Sequence, residues 1–228
     1  MVSGQVSELQ LRQLEKQLRY TFIKPALLLQ ALTHRSMGAE NNERLEFLGD
    51  SILNFTAAAE LFQAMPNADE GTLSRYRALL VKGETLTEIA DELSLSELLI
   101  LGEGELKSGG HRRKSTLADS VEAIIGAVYL DSGLDESTAL VRRLLASRLG
   151  NLPQADELKD PKTRLQERMQ KDALELPAYE LVATYGKAHE QQFEVSCTIA
   201  DAKPTKGLGT SRRKAEQAAA AAMLAQLA

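Results

Sequence analysis

Apolar residues recur at helical spacing over most of the chain and alternate with polar ones only near its end. Leu11, Leu14 and Leu18 predict a helix within residues 6–19, which Tyr20 and Phe22 follow into a turn near Pro25. Residues 27–32 form a second helix, ahead of Thr33-His34-Arg35-Ser36. The stretch NNERLEFLGDSIL, residues 41–53, places Leu45, Leu48 and Ile52 on one helical face, and the pattern continues through 57–65 to Pro66. A loop over 67–71 opens a helix over 72–81, and 86–93 and 94–101 keep the helical period. A loop over 102–114 then leads to STLADSVEAIIGAVYLD, a helix that Ser115 or Thr116 would cap, and to a final helix over 140–149. The proline-containing stretch GNLPQADELK reads as a connector.

After the connector the period changes. A helix over 161–171 has proline at its start. Strands follow over 179–185 and 192–199, the second alternating Phe193, Val195, Cys197 and Ile199 with polar residues. The connection between them begins Gly186-Lys187-Ala188-His189. A short third strand precedes Gly209, and 211–227 form a long helix whose Ala215, Ala219 and Ala222 allow close packing on a sheet. The expected architecture is an all-α domain over 1–153, a linker over 154–160 and an α-β-β-β-α domain over 161–228, a multidomain α and α+β chain.

Chemistry concentrates on two of the predicted helices. Glu43, Glu46 and Asp50 lie at i, i+3 and i+7, so they share one helical face beside the apolar one. Asp119 and Glu122, also at i, i+3, are embedded among Leu117, Val121, Ile124 and Ile125. Crowded carboxylates repel one another and resist desolvation, so such a set needs cations. Oxygen ligands without His or Cys select hard cations, Mg²⁺ first and Mn²⁺ as a substitute. A di-iron bundle would want Glu-x-x-His motifs, and no Glu here has His three positions on. The phosphate-binding sequence GxxxxGK[ST] is also absent, which disfavours a nucleotide cofactor. Gly49, inside the first acidic helix, costs about 1 kcal/mol relative to alanine and so points to close approach of another element. Glu70 reads as a dipole-complementing acid at a helix start, and His34 as a structural hydrogen-bonder.

Charge sharpens this picture. The net charge of −5 hides a division, because residues 161–228 hold 10 Lys+Arg against 8 Asp+Glu. Arg212, Arg213 and Lys214 open the last helix, where cations oppose the helix dipole unless phosphates dock on them. The run Gly109-Gly110-His111-Arg112-Arg113-Lys114 is either a phosphate-contacting loop or a solvated basic one. A single cysteine, Cys197, excludes an internal disulfide and any multi-Cys zinc site. With no apolar signal core and no run of membrane-spanning length, a soluble cytoplasmic protein is expected.

NNERLEFLGDSIL resembles the signature of the ribonuclease III family, and KSTLADSVEAIIGAVYLD its second catalytic helix. DPKTRLQE, GKAHEQQF and GTSRRKAEQAAA resemble a double-stranded-RNA-binding domain. The resemblance implies a bacterial-type, double-stranded-RNA-specific endoribonuclease with Glu46, Asp50, Asp119 and Glu122 as its metal cluster. Asp50 and Glu122 would be the acids most critical to the chemistry, and Glu43 and Glu70 outer acids of the cleft. It implies a homodimer in which Phe47 inserts into the partner; from periodicity alone Phe47 reads as core. It also implies RNA minor-groove contacts by Thr163, Gln166, Glu167 and His189, and phosphate contacts by Ser211, Arg212 and Arg213. Glu216 departs from the pattern, standing where many such domains carry Lys, which implies weaker stand-alone RNA affinity. Products with 5′-phosphate and 3′-hydroxyl ends and two-nucleotide 3′ overhangs follow by the same resemblance, as do roles in rRNA-precursor and mRNA processing. A catalytically silent RNA-binding protein is the runner-up, and a helical dimerisation module leaves Asp119 and Glu122 unexplained.

Overall fold

The computed structural model describes residues 6–187, 190–200 and 202–227. They fall into two compact units divided between Leu152 and Pro153.

The first unit is helical. Its elements are α1 (Glu8–Leu18), α2 (Pro25–Ala31), α3 (Glu43–Ala64), α4 (Glu70–Val81), α5 (Gly83–Glu92), the short α6 (Glu103–Lys107) and α7 (Lys114–Leu149). Ser7 and Gln10 close a capping box around the first turn of α1, and Asp69 caps α4 through the amide of Thr72. The centre is the pairing of α3 with α7. Leu45, Ile52, Leu53 and Leu61 of α3 and Leu117, Val121, Ile124, Ile125 and Val128 of α7 are buried. Burying a side chain of this size contributes about 1.5–3 kcal/mol.

Two glycines let these helices touch backbone to backbone. A Cβ on Gly49 would lie 1.7 Å from the Glu122 carbonyl oxygen, and one on Gly126 would lie 2.2 Å from that of Leu45. The close approach expected at Gly49 is therefore present, and α7 is what approaches. Gly133 serves differently: at φ 84° and ψ −171° it breaks α7 where a side chain would be strained. The separate helix expected over 140–149 is thus the second arm of a bent α7. Beside the bend, Asp131 accepts hydrogen bonds from the Tyr20 hydroxyl and from the amides of Ile23 and Lys24, which ties the α1–α2 connection to α7.

Other boundaries differ from expectation for local reasons. Residues 94–101 do not continue a helix, because Ser94 turns into the left-handed region (φ 55°). Only the turn Leu95–Glu97 follows, and Ile100 then bridges to Thr33. The expected loop over 102–114 holds α6 and the 3₁₀ turn Gly110–Arg112. Neither Ser115 nor Thr116 caps α7, which begins one residue earlier, with Arg113 in the cap position.

The second unit runs α8 (Pro161–Lys171), β1 (Ala178–Tyr185), β2 (Gln192–Thr198), β3 (Thr205–Gly209) and α9 (Arg212–Gln226). The three strands form one antiparallel sheet in the order β1-β2-β3, with Val195 opposite Leu181 and Gly207. Leu165 and Met169 of α8, Cys197 of β2, and Ala219, Ala220 and Met223 of α9 share its core. Ala215 and Ala219 are buried as the small-residue stripe implies, but Ala222 is exposed and Ala220 takes the inner position. The α-β-β-β-α order is observed. No helix among the described residues is long and apolar enough to cross a membrane.

Candidate active site

The packing of α3 on α7 brings three acids together. Glu46, Asp119 and Glu122 each offer a carboxylate oxygen, and these atoms all lie within 4.8 Å of one another. Glu46 sits one turn before Gly49, and Glu122 is the residue whose carbonyl Gly49 touches. The same glycine contact that joins the helices therefore sets the spacing of the acids.

All three carboxylates are half-buried, and all three hold their protons more tightly than free acids. Burial pushes Glu122 up to about 8, and the charges of Asp50, Glu46 and Asp119 add to the rise. Burial is also the main cause at Glu46, joined by Asp119 and Glu43. At Asp119 burial prevails over the opposing pull of His34 and Arg35. The arginines lining the same cleft pair with its outer acids: Arg35 lies 3.6 Å from Glu43, and Arg113 donates to Glu105 at 2.6 Å. The triad thus fits a divalent cation, which oxygen ligands would hold and whose charge would reverse the upward shifts.

The remaining expected acids are placed differently. Asp50 is exposed and outside the 4.8 Å group; its Oδ1 accepts from the Asn54 amide at 2.8 Å, and its charge is the first neighbour felt by Glu122. Glu43 lines the cleft with Glu46 and Asp119. Glu70 opens α4, accepts from the Ser74 hydroxyl and is not among the residues lining that cleft. Phe47 is 78% exposed, so the periodicity reading of it as core is wrong.

The cleft is also lined by His34, which sequence reasoning kept off the site, by Arg113, which it left in a basic loop, and by Arg35 and Glu105, which it did not single out. The signal was the polar run Thr33-His34-Arg35-Ser36 between two helices. Its fold role emerges only with the Thr33–Ile100 bridge and the Gly102 amide donating to the Ser36 hydroxyl. Arg113 also shows that one cation of the basic loop is held by protein acceptors, Glu105 and Ser108.

In the second unit, Ser211 caps α9 by accepting from the Lys214 amide, with Arg212, Arg213 and Lys214 exposed in the first turn. Thr163 lies in the first turn of α8, bonded to Asp160, and Gln166 and Glu167 follow it, both exposed. Glu167 accepts from Lys159 at 2.6 Å. His189 lies outside the described residues.

A helical unit with clustered acids, followed by a sheet-and-helix unit with a basic helix start, defines a nuclease joined to a nucleic-acid-binding module. Comparison with known proteins makes this specific. Residues 24–149 match the ribonuclease-III-like family model, and 161–227 match the double-stranded RNA binding motif. The chain is 53% identical to Ribonuclease 3 of Proteus mirabilis over 97% of its own length and 99% of that protein. It is 56% identical to Ribonuclease 3 of Nitrosococcus oceani, over 95% and 94% respectively. Among solved structures, the nuclease domain of Ribonuclease III from Campylobacter jejuni superposes with a TM-score of 0.60 at 37% identity. That match covers 62% of this chain and 99% of the other. The chain belongs to the ribonuclease III family. It is a double-stranded-RNA-specific endonuclease.

Proposed function

We propose that Glu46, Asp119 and Glu122 hold Mg²⁺, with Mn²⁺ as a substitute, and that the chain uses it to hydrolyse phosphodiester bonds of double-stranded RNA. The supporting observation is the convergence of three half-buried carboxylates within 4.8 Å from two helices locked by Gly49. When bound, the cation would acidify an attacking water and offset charge gathering on phosphorus and the leaving oxygen. Glu122 must release its proton for the triad to act as a ligand set, and Asp50, exposed beside it, would join the metal cluster, with these two acids the most critical to the chemistry. Glu43 serves as an outer acid of this cleft, and Glu70, which does not line it, as an acid farther out. Hydrolysis leaves 5′-phosphate and 3′-hydroxyl ends.

The functional division runs 1–153 catalytic, 154–160 linker and 161–228 RNA-binding. Thr163, Gln166, Glu167 and His189 address the minor groove of the duplex, and Ser211, Arg212 and Arg213 its phosphates. Phe47, 78% exposed on α3, is open to a homodimer in which it enters the partner. Two symmetry-related sites then each cut one strand, giving two-nucleotide 3′ overhangs. Cytoplasmic processing of rRNA precursors and mRNA is the setting this activity suits, without a nucleotide cofactor or a membrane.

The test is end-labelled duplex RNA incubated with the protein and with Asp50→Asn, in Mg²⁺, Ca²⁺ or EDTA, with product ends sequenced. Staggered cuts in Mg²⁺ that Asp50→Asn abolishes, with RNA binding retained, are expected. Uncut RNA that is still shifted on a native gel would leave a silent RNA-binding protein, and unchanged cleavage by Asp50→Asn would remove that residue from the site.

A further inference from the structure

Glu216 is an acid set among the cations of the phosphate-docking helix start. Its Oε2 accepts from Lys162 Nζ of α8 at 2.6 Å, and its Oε1 from Arg212 Nε one turn back on α9 at 3.1 Å. The two partners are held very differently. Lys162 also lies 4.5 Å from the centre of the Tyr179 ring, and its side chain is 35% exposed, whereas that of Arg212 is 62% exposed. Lys162 and Glu216 thus form the more buried inner pair, and Arg212 is the exposed outer arm, drawn back along the helix from its start. We propose that Glu216 competes with RNA phosphate for Arg212 and thereby restrains the grip of the second unit on duplex RNA.

This deepens the RNA-binding reading above and rests on it. A phosphate arriving at the start of α9 meets the helix dipole, Arg213 and Lys214 directly, but must share the charge of Arg212 with Glu216, which holds its Nε–H. The contact with Lys162 holds the Glu216 carboxyl below the ordinary range, so the competitor is anionic at neutral pH. A restrained grip suits an enzyme that must release what it has cut. Tight binding that does not favour the transition state over the ground state leaves turnover no faster.

The test measures binding of the full chain to a duplex longer than the ~16 base pairs one such domain spans, in EDTA, as a function of salt. Glu216→Gln keeps an acceptor for Lys162 and removes the charge facing Arg212. It is expected to tighten binding about two- to fivefold, the range of exposed charge pairs, and to steepen the log–log salt slope by up to about 0.9. In an Arg212→Ala background the same substitution should bring no gain. No tightening, or an equal gain without Arg212, overturns the proposal; the latter would mean that only net charge matters. Arg213→Ala separates the two levels. If it leaves affinity and slope unchanged, the phosphate reading itself fails; if it weakens binding while Glu216→Gln gains nothing, only the competition fails. Should Gln lower the melting temperature, Glu216→Asp serves instead: it keeps the countercharge and retracts it from Arg212 by one methylene. Tighter binding by Asp supports the competition and unchanged binding refutes it.

Discussion

Substituting Gly49 by Ala tests whether helix packing and acid geometry are one feature. The added Cβ would stand 1.7 Å from the Glu122 carbonyl oxygen, where ordinary contact begins near 3.4 Å. The obstacle is backbone on the far side, so no side chain can swing away and α3 must move from α7 by over an ångström. Helix propensity favours Ala by about 1 kcal/mol. Overpacking costs about 1–3 kcal/mol, and a backbone clash belongs at or beyond the upper end. A net loss of about 2 kcal/mol would lower the melting temperature by roughly 4–8 °C for a domain of this size. The effect on the site should be larger. Mg²⁺ accepts oxygens at about 2.0–2.1 Å, with a tolerance of about 0.2 Å, so moving Glu46 from Glu122 by that amount removes a ligand. Cleavage of end-labelled duplex RNA, titrated with Mg²⁺ well below the melting temperature, should need at least tenfold more metal and plateau lower. A variant that melts and cleaves like the wild type would refute the reasoning. Gly126→Ala, facing the Leu45 carbonyl at 2.2 Å, should behave alike.

Two further outcomes follow from the first unit. In EDTA the folded chain holds a proton on Glu122 up to about pH 8, whereas an unfolded Glu releases it near its ordinary value of 4.5, so stability should fall as pH rises through that window. Glu122→Gln should flatten that fall, and a melting temperature that changes with pH equally in both proteins would show the dependence to lie elsewhere. Phe47→Ala should shift sedimentation from dimer toward monomer with little change in the melting temperature of the monomer, since the residue is 78% exposed in its own chain; an unchanged dimer would remove Phe47 from the interface.

What was legible in the sequence depended on whether the cause was local. The helical period placed α3 and α8 closely, and the alternation around Val195 placed β2, because a face that is buried imposes its spacing on the residues. The acid pairs were legible for the same reason: carboxylates inside an apolar repeat stand out. Residues 94–101 were misread because a helical repeat of leucines does not reveal that Ser94 reverses the chain, or that Ile100 pairs with Thr33 far away in sequence. A break between the helices ending at Asp131 and beginning at 140 was legible, but not that helix resumes directly after Gly133, because Asp135, Ser137 and Thr138 are weak helix formers. Phe47 was illegible from periodicity, since an aromatic at helical spacing has the same pattern whether it faces its own core or a partner's. Ion pairs such as Glu105–Arg113 and Lys162–Glu216 join different elements, so spacing carries no trace of them.

The two units set opposite electrostatic terms for one polyanion. The cleft of the first presents Glu43, Glu46 and Asp119 to a ligand that is itself negative. Arg35, paired with Glu43 and felt by Glu46 and Asp119, offsets only part of that charge, and Arg113 is paired with Glu105. On the proposed reading, RNA enters this cleft only together with metal, so metal affinity and duplex affinity must rise together, by thermodynamic reciprocity. The second unit needs no metal for its cations at the start of α9, yet Glu216 withholds one of them. A chain that held RNA firmly through its second unit would bind whether or not the catalytic cleft was loaded. Restraining that grip leaves occupancy to the site that cuts.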